Sequence, residues 1–250
     1  MEYIKRTYRD NMGKERFCSF SVSYFETDLW IGVDPAHAKQ IADMSKFSQS
    51  EIQNLRNTLN QYIAYNPDFF KSLIPIIVSE NAPSLTLQMV NASRIANVGP
   101  MAAVAGTFAQ HIGQQLKKEF ELNEIAVENG GDIYLNLQNE LVMSIFAGQS
   151  PLSEKVGIRV PAAFGEVGVC TSSGTVGPSL SFGKADAVVI ACRDTALADA
   201  YATGIANKIQ TPDDVEPVLE KLKNEKEILS AVIIYQDKMG IRGVFELEVL

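Results

Sequence analysis

Asp199 and Thr203 stand four residues apart in Ala198-Asp199-Ala200-Tyr201-Ala202-Thr203, which reads as the first turns of a helix, so a carboxylate and a hydroxyl share one helix face. Two oxygens aimed at one point suit a hard cation. With a single carboxylate in the set the fitting ion is Mg²⁺, which keeps waters or phosphate oxygens among its ligands. Ala198, Ala200 and Ala202 leave room for a bulky group to approach. The same spacing has a structural use, with Asp199 as a first-turn acid favoured by the helix dipole and Thr203 bonded back to a carbonyl. Spacing alone leaves both open.

Other polar groups cluster upstream. In Glu128-Asn129-Gly130-Gly131-Asp132 the paired glycines allow close backbone approach and positive φ, or simply turn a hairpin or bulge. Cys170-Thr171-Ser172-Ser173-Gly174-Thr175-Val176-Gly177-Pro178 reads as a loop of small polar residues. Its N–H groups and hydroxyls can cradle a phosphate, or cap the loop itself. Cys170 at its mouth is either a thiol activated by backbone donors or a small core residue. His111 falls off the apolar stripe of its helix, as a general base or a solvated side chain. Arg159 and Lys184 flank the loop, placed to contact phosphate or merely exposed. His37 and Trp30 read as structural.

The elements that must position these groups follow from periodicity. Strands are expected over Tyr3–Arg9, Arg16–Phe25 and Asp28–Val33, where alternation with aromatics marks an antiparallel ribbon. Ser48-Gln49-Ser50-Glu51 has the pattern of a capping box, and Ile52, Leu55, Leu59, Tyr62 and Ile63 recur at helical spacing until Asn66-Pro67. A second helix spans about Pro100–Phe120, started by Gly99-Pro100. Strands follow at 124–128, 132–137, 141–147, 156–160, 166–169 and 185–192. Helices are expected at 195–209 and 212–224, and a hairpin at 231–236 and 241–247 turned at Asp237–Gly240. Clustered rather than alternating elements favour α+β with antiparallel sheet.

Val104-Ala105-Gly106-Thr107-Phe108-Ala109, then Glu128 to Ile133, then Thr171 to Gly174 and Ala198 to Thr203 resemble, in this order, the ApbE-like superfamily. Its best-known members are Mg²⁺-dependent FAD:protein FMN transferases. The resemblance covers about residues 97–209. It implies an ApbE-like, T-fold-like α+β domain of antiparallel sheets with packed helices, over 1–250, as two intimately joined subdomains. It implies that the Ala105 carbonyl, Asp199 and Thr203 hold Mg²⁺. FAD or another flavin would then meet Glu128, Asn129, Gly130, Gly131, Asp132, Thr171, Ser172, Ser173 and Gly174. Two family features are replaced. Gly106-Thr107-Phe108-Ala109-Gln110-His111 lacks the lysine and acid that usually follow the metal-binding alanine, and Val176–Lys184 has no His-x-x-Asp-Pro run. The chain therefore resembles a divergent branch.

Composition narrows the partners. A net charge of −8 over 250 residues, with basic residues only in short pairs or among acids, offers no footprint for nucleic acid. Three cysteines with no CxxC or Cys/His spacing fit reduced thiols rather than disulfides or zinc. No apolar run approaches a membrane span. The expectation is a cytoplasmic protein that binds Mg²⁺ and a phosphate-bearing small molecule. If it is an enzyme, it is a transferase-like one with Asp199, Cys170 and His111 as catalytic candidates. The alternatives are a noncatalytic binding protein that retains the fold, with a homodimer formed through its sheets, and a thiol enzyme built on Cys170.

Overall fold

The computed structural model describes Arg9, residues 16–175 and residues 182–250. The strand expected over Tyr3–Arg9 therefore lies, Arg9 apart, outside the described residues, as does most of Val176–Lys184. The chain runs β1 (Cys18–Tyr24), β2 (Thr27–Val33), α1 (Ile41–Tyr65), α2 (Pro67–Lys71), α3 (Ser84–Ala96), α4 (Val104–Glu119), β3 (Ile125–Asn129), β4 (Asp132–Asn136), β5 (Leu141–Ser144) and β6 (Val156–Val160). It continues with β7 (Glu166–Ser172), β8 (Ala187–Cys192), α5 (Thr195–Ala206), α6 (Val215–Lys221), β9 (Ile228–Tyr235), β10 (Lys238–Gly243) and β11 (Glu246–Val249).

Eight strands form one antiparallel sheet in the order β1-β2-β3-β4-β7-β8-β9-β10, and β11-β6-β5 form a smaller one. Because successive side chains on a strand point to opposite faces, the large sheet sorts its residues between two cores. Leu29, Ile31, Ile125, Val127, Val188 and Ile190 pack against the helices. Trp30, Ala126, Leu135, Val169, Val189 and Ala191 pack against Ile145, Ile158, Val160 and Phe245 on the side of the small sheet. With both faces covered, β8 (Ala-Val-Val-Ile-Ala-Cys) has no polar position at all and is buried throughout. The α+β architecture of antiparallel sheets and packed helices is the one expected.

Several local expectations are corrected. α1 starts at Ile41, after a 3₁₀ turn over Pro35–Gln40, so Ser48 is no cap. Ser48 is buried mid-helix and donates its hydroxyl to the Met44 carbonyl at 2.8 Å. α3, which the sequence reading does not anticipate, fills part of the gap between Pro67 and Gly99; its buried face mixes Leu85, Met89 and Val90 with Thr86, Ala92 and Ser93, which blurs the apolar period. β7 runs on to Ser172, so Cys170, Thr171 and Ser172 are ladder residues and not loop. The last hairpin turns at Gln236-Asp237, with Gln236 at φ 54°, two residues earlier than its sequence suggests.

α4 lies on the sheet through its glycines. A Cβ on Gly113 would stand 2.2 Å from Cδ1 of Tyr134, whose side chain is fully buried on β4. Gly→Ala inside a helix ordinarily gains about 1 kcal/mol, but here the ring has nowhere to move. Gly113→Ala is therefore expected to lower stability by about 1–3 kcal/mol, a fall in Tm of roughly 3–10 °C for a chain of this size, read by thermal melts. An unchanged or higher Tm would contradict this packing.

Candidate functional site

The β3–β4 hairpin sets one wall. Asn129 pairs with Asp132 across a two-residue turn in which Gly130 (φ 72°) and Gly131 (φ 102°) both take positive φ, as the tightest hairpin turns require. Glu128 accepts the Gly131 N–H at 2.8 Å through Oε1. Its Oε2 takes the Arg9 Nε at 2.5 Å, and Arg9 also donates to Asp28 through its side chain (3.0 Å) and carbonyl (2.8 Å). The buried Glu128 charge thus has its own cation. On the other side of the hairpin Asp132 pairs in register with Cys170 on β7, and the Thr171 N–H donates to the Gly131 carbonyl at 3.2 Å.

α5 forms the opposite wall. Asp194 caps it by accepting the Leu197 N–H at 3.0 Å. One turn further on, Asp199 leaves its own helix and accepts the Gly106 N–H at 2.8 Å, with the Ala105 N–H also directed at its carboxylate. The N-cap residue of α4 is Ala103, which has no side-chain acceptor, so Asp199 serves as the cap in trans. The approach needs glycine. A Cβ on Gly106 would lie 2.4 Å from the Thr195 carbonyl oxygen and 2.8 Å from Asp199 Cβ, and one on Gly168 would lie 2.4 Å from Thr195 Cα. Asn129 Nδ2 donates to the Ala105 carbonyl at 3.1 Å, and Gln110 Oε1 accepts the Thr195 N–H at 2.6 Å.

Asp132 and Asp199 are each only 8% exposed. Burial, then the Asp199 charge, push the Asp132 carboxyl well above the carboxylate range, against a hydrogen bond from Cys170 and the Thr171 N–H. Burial pushes Asp199 up to about 7, opposed by the Gly106 and Ala105 N–H groups. Both carboxyls are thus held towards the protonated form, with the helix end and its dipole opposing the shift at Asp199. No described basic side chain is bonded to either acid, in contrast to Glu128.

The family described as AbpE bacteria matches residues 9–237. The chain belongs to that family. Relatives include the UPF0280 protein of Methanocaldococcus jannaschii, 39% identical over 225 residues that cover 87% of each chain. That of Methanothermobacter thermautotrophicus is 44% identical over 182 residues, covering 72% of this chain and 70% of the relative. Among solved structures, Pseudomonas stutzeri flavinyl transferase ApbE in its apo form superposes with a TM-score of 0.51 over 91% of this chain and 94% of that one, at 10% identity. That likeness is one of fold. The chain is an ApbE-like protein of a divergent branch.

In this ApbE-like chain the structure brings Ala105, Glu128, Asn129, Gly130, Gly131, Asp132, Cys170, Thr171 and Asp199 together. Thr203 is half-buried on α5, one turn beyond Asp199. Ser172 is a buried ladder residue opposite Val188. The backbone donors expected to cradle phosphate are spent internally: Thr171 on Gly131, Gly174 on the Ala185 carbonyl (2.9 Å), and Thr175 on the Ser173 hydroxyl (3.0 Å). His111 is not part of the cluster; it faces α1, 3.4 Å from Glu51. Cys170 is fully buried, its thiol directed at the Thr195 carbonyl at 3.5 Å, and burial with Asp132 and Asp199 raises it well above its usual range. The expected activation is thus reversed, because the local charges are negative. Arg159 is committed to Glu140 and Glu248 on the small sheet, and Lys184 is exposed.

Sequence reading missed Arg9 as the partner of Glu128, and the capping role of Asp199. The only signal for the latter was Gly106 in the first turn of an otherwise alanine-rich helix start. Two surface cavities, of about 330 and 530 Å³, are lined by residues 88–95 with Asp194 and Leu197, and by residues 62–82; neither reaches the acid pair.

An Asp199 carboxyl raised in the folded state adds stability that is complete below the ordinary carboxylate pKa and lost as pH rises through about 7. Asp199→Asn keeps an oxygen for the Gly106 N–H and removes the charge. It is expected to raise Tm at pH 8 by several degrees, on the order of a few kcal/mol, with little change at pH 4. Equal effects at both pH values, in metal-free buffer, would contradict the charge argument.

Proposed function

We propose that the chain binds a divalent cation, Mg²⁺ by its donor chemistry, together with a phosphate-bearing small molecule of the flavin-nucleotide class. The observation that carries this reading is a pair of buried carboxylates, Asp132 and Asp199, with no described cation bonded to either. The residues fit the ion. Asp199 is the anionic ligand, Asp132 gives up its proton to become a second, and the Thr203 hydroxyl and Ala105 carbonyl are the neutral oxygens of the set. Among the described residues no three His, Cys, Asp or Glu side chains converge as metal ligands. That suits Mg²⁺, which fills its shell with waters and phosphate oxygens rather than an all-protein cage.

Bound Mg²⁺ would orient a pyrophosphate and offset its charge. The chain's own residues do the rest. Glu128, anchored by Arg9, holds the Gly131 N–H and so the shape of the hairpin. Asn129 fixes the Ala105 carbonyl. The exposed Gly130 gives a ligand close access to backbone. Support for a flavin nucleotide comes from the motif order and from the ApbE-like fold shared with a flavinyl transferase.

A second reading, binding without transfer, is favoured by the chemistry around the acids: His111 faces away from them and Cys170 is held protonated, so neither supplies a base. Calorimetric titration of the purified chain with FAD in the presence of Mg²⁺ is expected to give saturable binding, weakened roughly 100-fold or more in Asp199→Ala and in Asp199→Asn. Absence of binding by the wild type would overturn the flavin reading, and release of AMP from FAD would overturn the binding-only one.

A further inference from the structure

Five large apolar side chains are exposed within thirteen consecutive residues: Tyr65 at the end of α1, Phe70 on α2, and Leu73, Ile74 and Ile77 beyond it, with Ile77 wholly exposed. The stretch is held in place from below. Phe69 is fully buried and meets Tyr62 edge-on at 5.3 Å, and Ile76 and Val78 pack against the helical core. Gly99 lies so close that a Cβ there would stand 1.8 Å from the Ser72 carbonyl oxygen. Ile76 in, Ile77 out and Val78 in is the alternation of a strand, yet residues 75–79 belong to neither sheet. Among the described residues the N–H groups of Ile76, Ile77 and Val78 have no hydrogen-bond acceptor. An extended apolar segment with unpaired backbone is a template for another strand.

We propose that the chain forms a twofold homodimer in which residues 73–79 of two copies lie side by side, antiparallel. Pairing puts the Ile77 side chains of both copies on one face of the joined strands, beside the 530 Å³ cavity that Ile76, Ile77 and Val78 themselves help to line with Tyr62 and Tyr65. The same segment meets itself under a twofold axis, which closes at two copies. At roughly 200 Å² for a large side chain the five exposed residues offer on the order of 700 Å² per copy, close to the ~800 Å² per partner of a standard interface. Charge is compatible with this face. The chain carries −8 overall, whereas residues 65–78 hold only Asp68 and Lys71, so two copies meet here with little repulsion. A single lysine is too little to draw this face to an anionic membrane. The interface is independent of the reading of the acid pair.

Sedimentation velocity of the full chain at micromolar concentration is expected to give a species of twice 27.4 kDa. Ile77→Asp should sediment as the monomer with an unchanged far-UV CD spectrum, its dissociation constant raised at least about 100-fold, because a charge would be buried in the interface. Val249→Asp, at an exposed site on the small sheet, should remain dimeric. Hydrogen exchange on the wild type should show protection of the Ile76–Val78 amides that increases with protein concentration, and it decides the matter if Ile77→Asp fails to fold. A monomeric wild type, including one that instead floats with phosphatidylserine vesicles, overturns the proposal. So does a dimer that survives Ile77→Asp, or exchange at 76–78 that is indifferent to concentration.

Discussion

One carboxylate ties the two alanine-rich helices together. Asp199 on α5 accepts the Gly106 N–H at the start of α4, 93 residues away in sequence, and supplies the cap that Ala103 cannot. The rest of the site follows from that contact. α5 must come within van der Waals distance of the α4 backbone, which demands Gly106, and must lie flat on β7, which demands Gly168. α4 is thereby fixed against the β3–β4 hairpin, where Asn129 takes the Ala105 carbonyl and the two glycines turn the chain at the edge of the acid pair.

The three buried acids around the hairpin and α5, Glu128, Asp132 and Asp199, are handled in different ways. Glu128 is neutralised by Arg9 and spends its second oxygen on the turn. Asp199 is partly offset by a helix end, which carries about half a charge. Asp132 is met by a thiol and one N–H, and burial pushes it well above its ordinary range. Removing two adjacent carboxylates from water costs more than those donors return, so burial favours the protonated form of the pair. The buried charge that is costly to the fold is the charge the proposed cation would offset.

What the sequence disclosed and what it hid divide by range. That Asp199 and Thr203 share a helix face, that Gly130-Gly131 permits positive φ, and that the sheets are antiparallel all rest on local spacing, which the fold preserves. The trans cap depends on a contact across 93 residues, and the Arg9–Glu128 pair on one across 119; no local pattern marks either. Thr171 and Ser172 read as loop because small polar residues signal turns, whereas pairing with Val189 and Val188 in a sheet covered on both faces overrides that preference. α1 begins seven residues before its apparent capping box because Ser48 finds a helical carbonyl to bond. The ordering of motifs carried the family, but His111 and Cys170, chosen by residue type, were placed by tertiary packing alone.

The central claim is that the acid pair stores a proton which a divalent cation displaces. Its most direct test is the number of protons released on Mg²⁺ binding, measured by calorimetry in buffers of different ionisation enthalpy. At least one proton per ion is expected near pH 6, with the release reduced in Asp132→Asn, which removes the carboxyl that burial holds protonated. Binding of Mg²⁺ with no proton release at pH 6 would contradict the account.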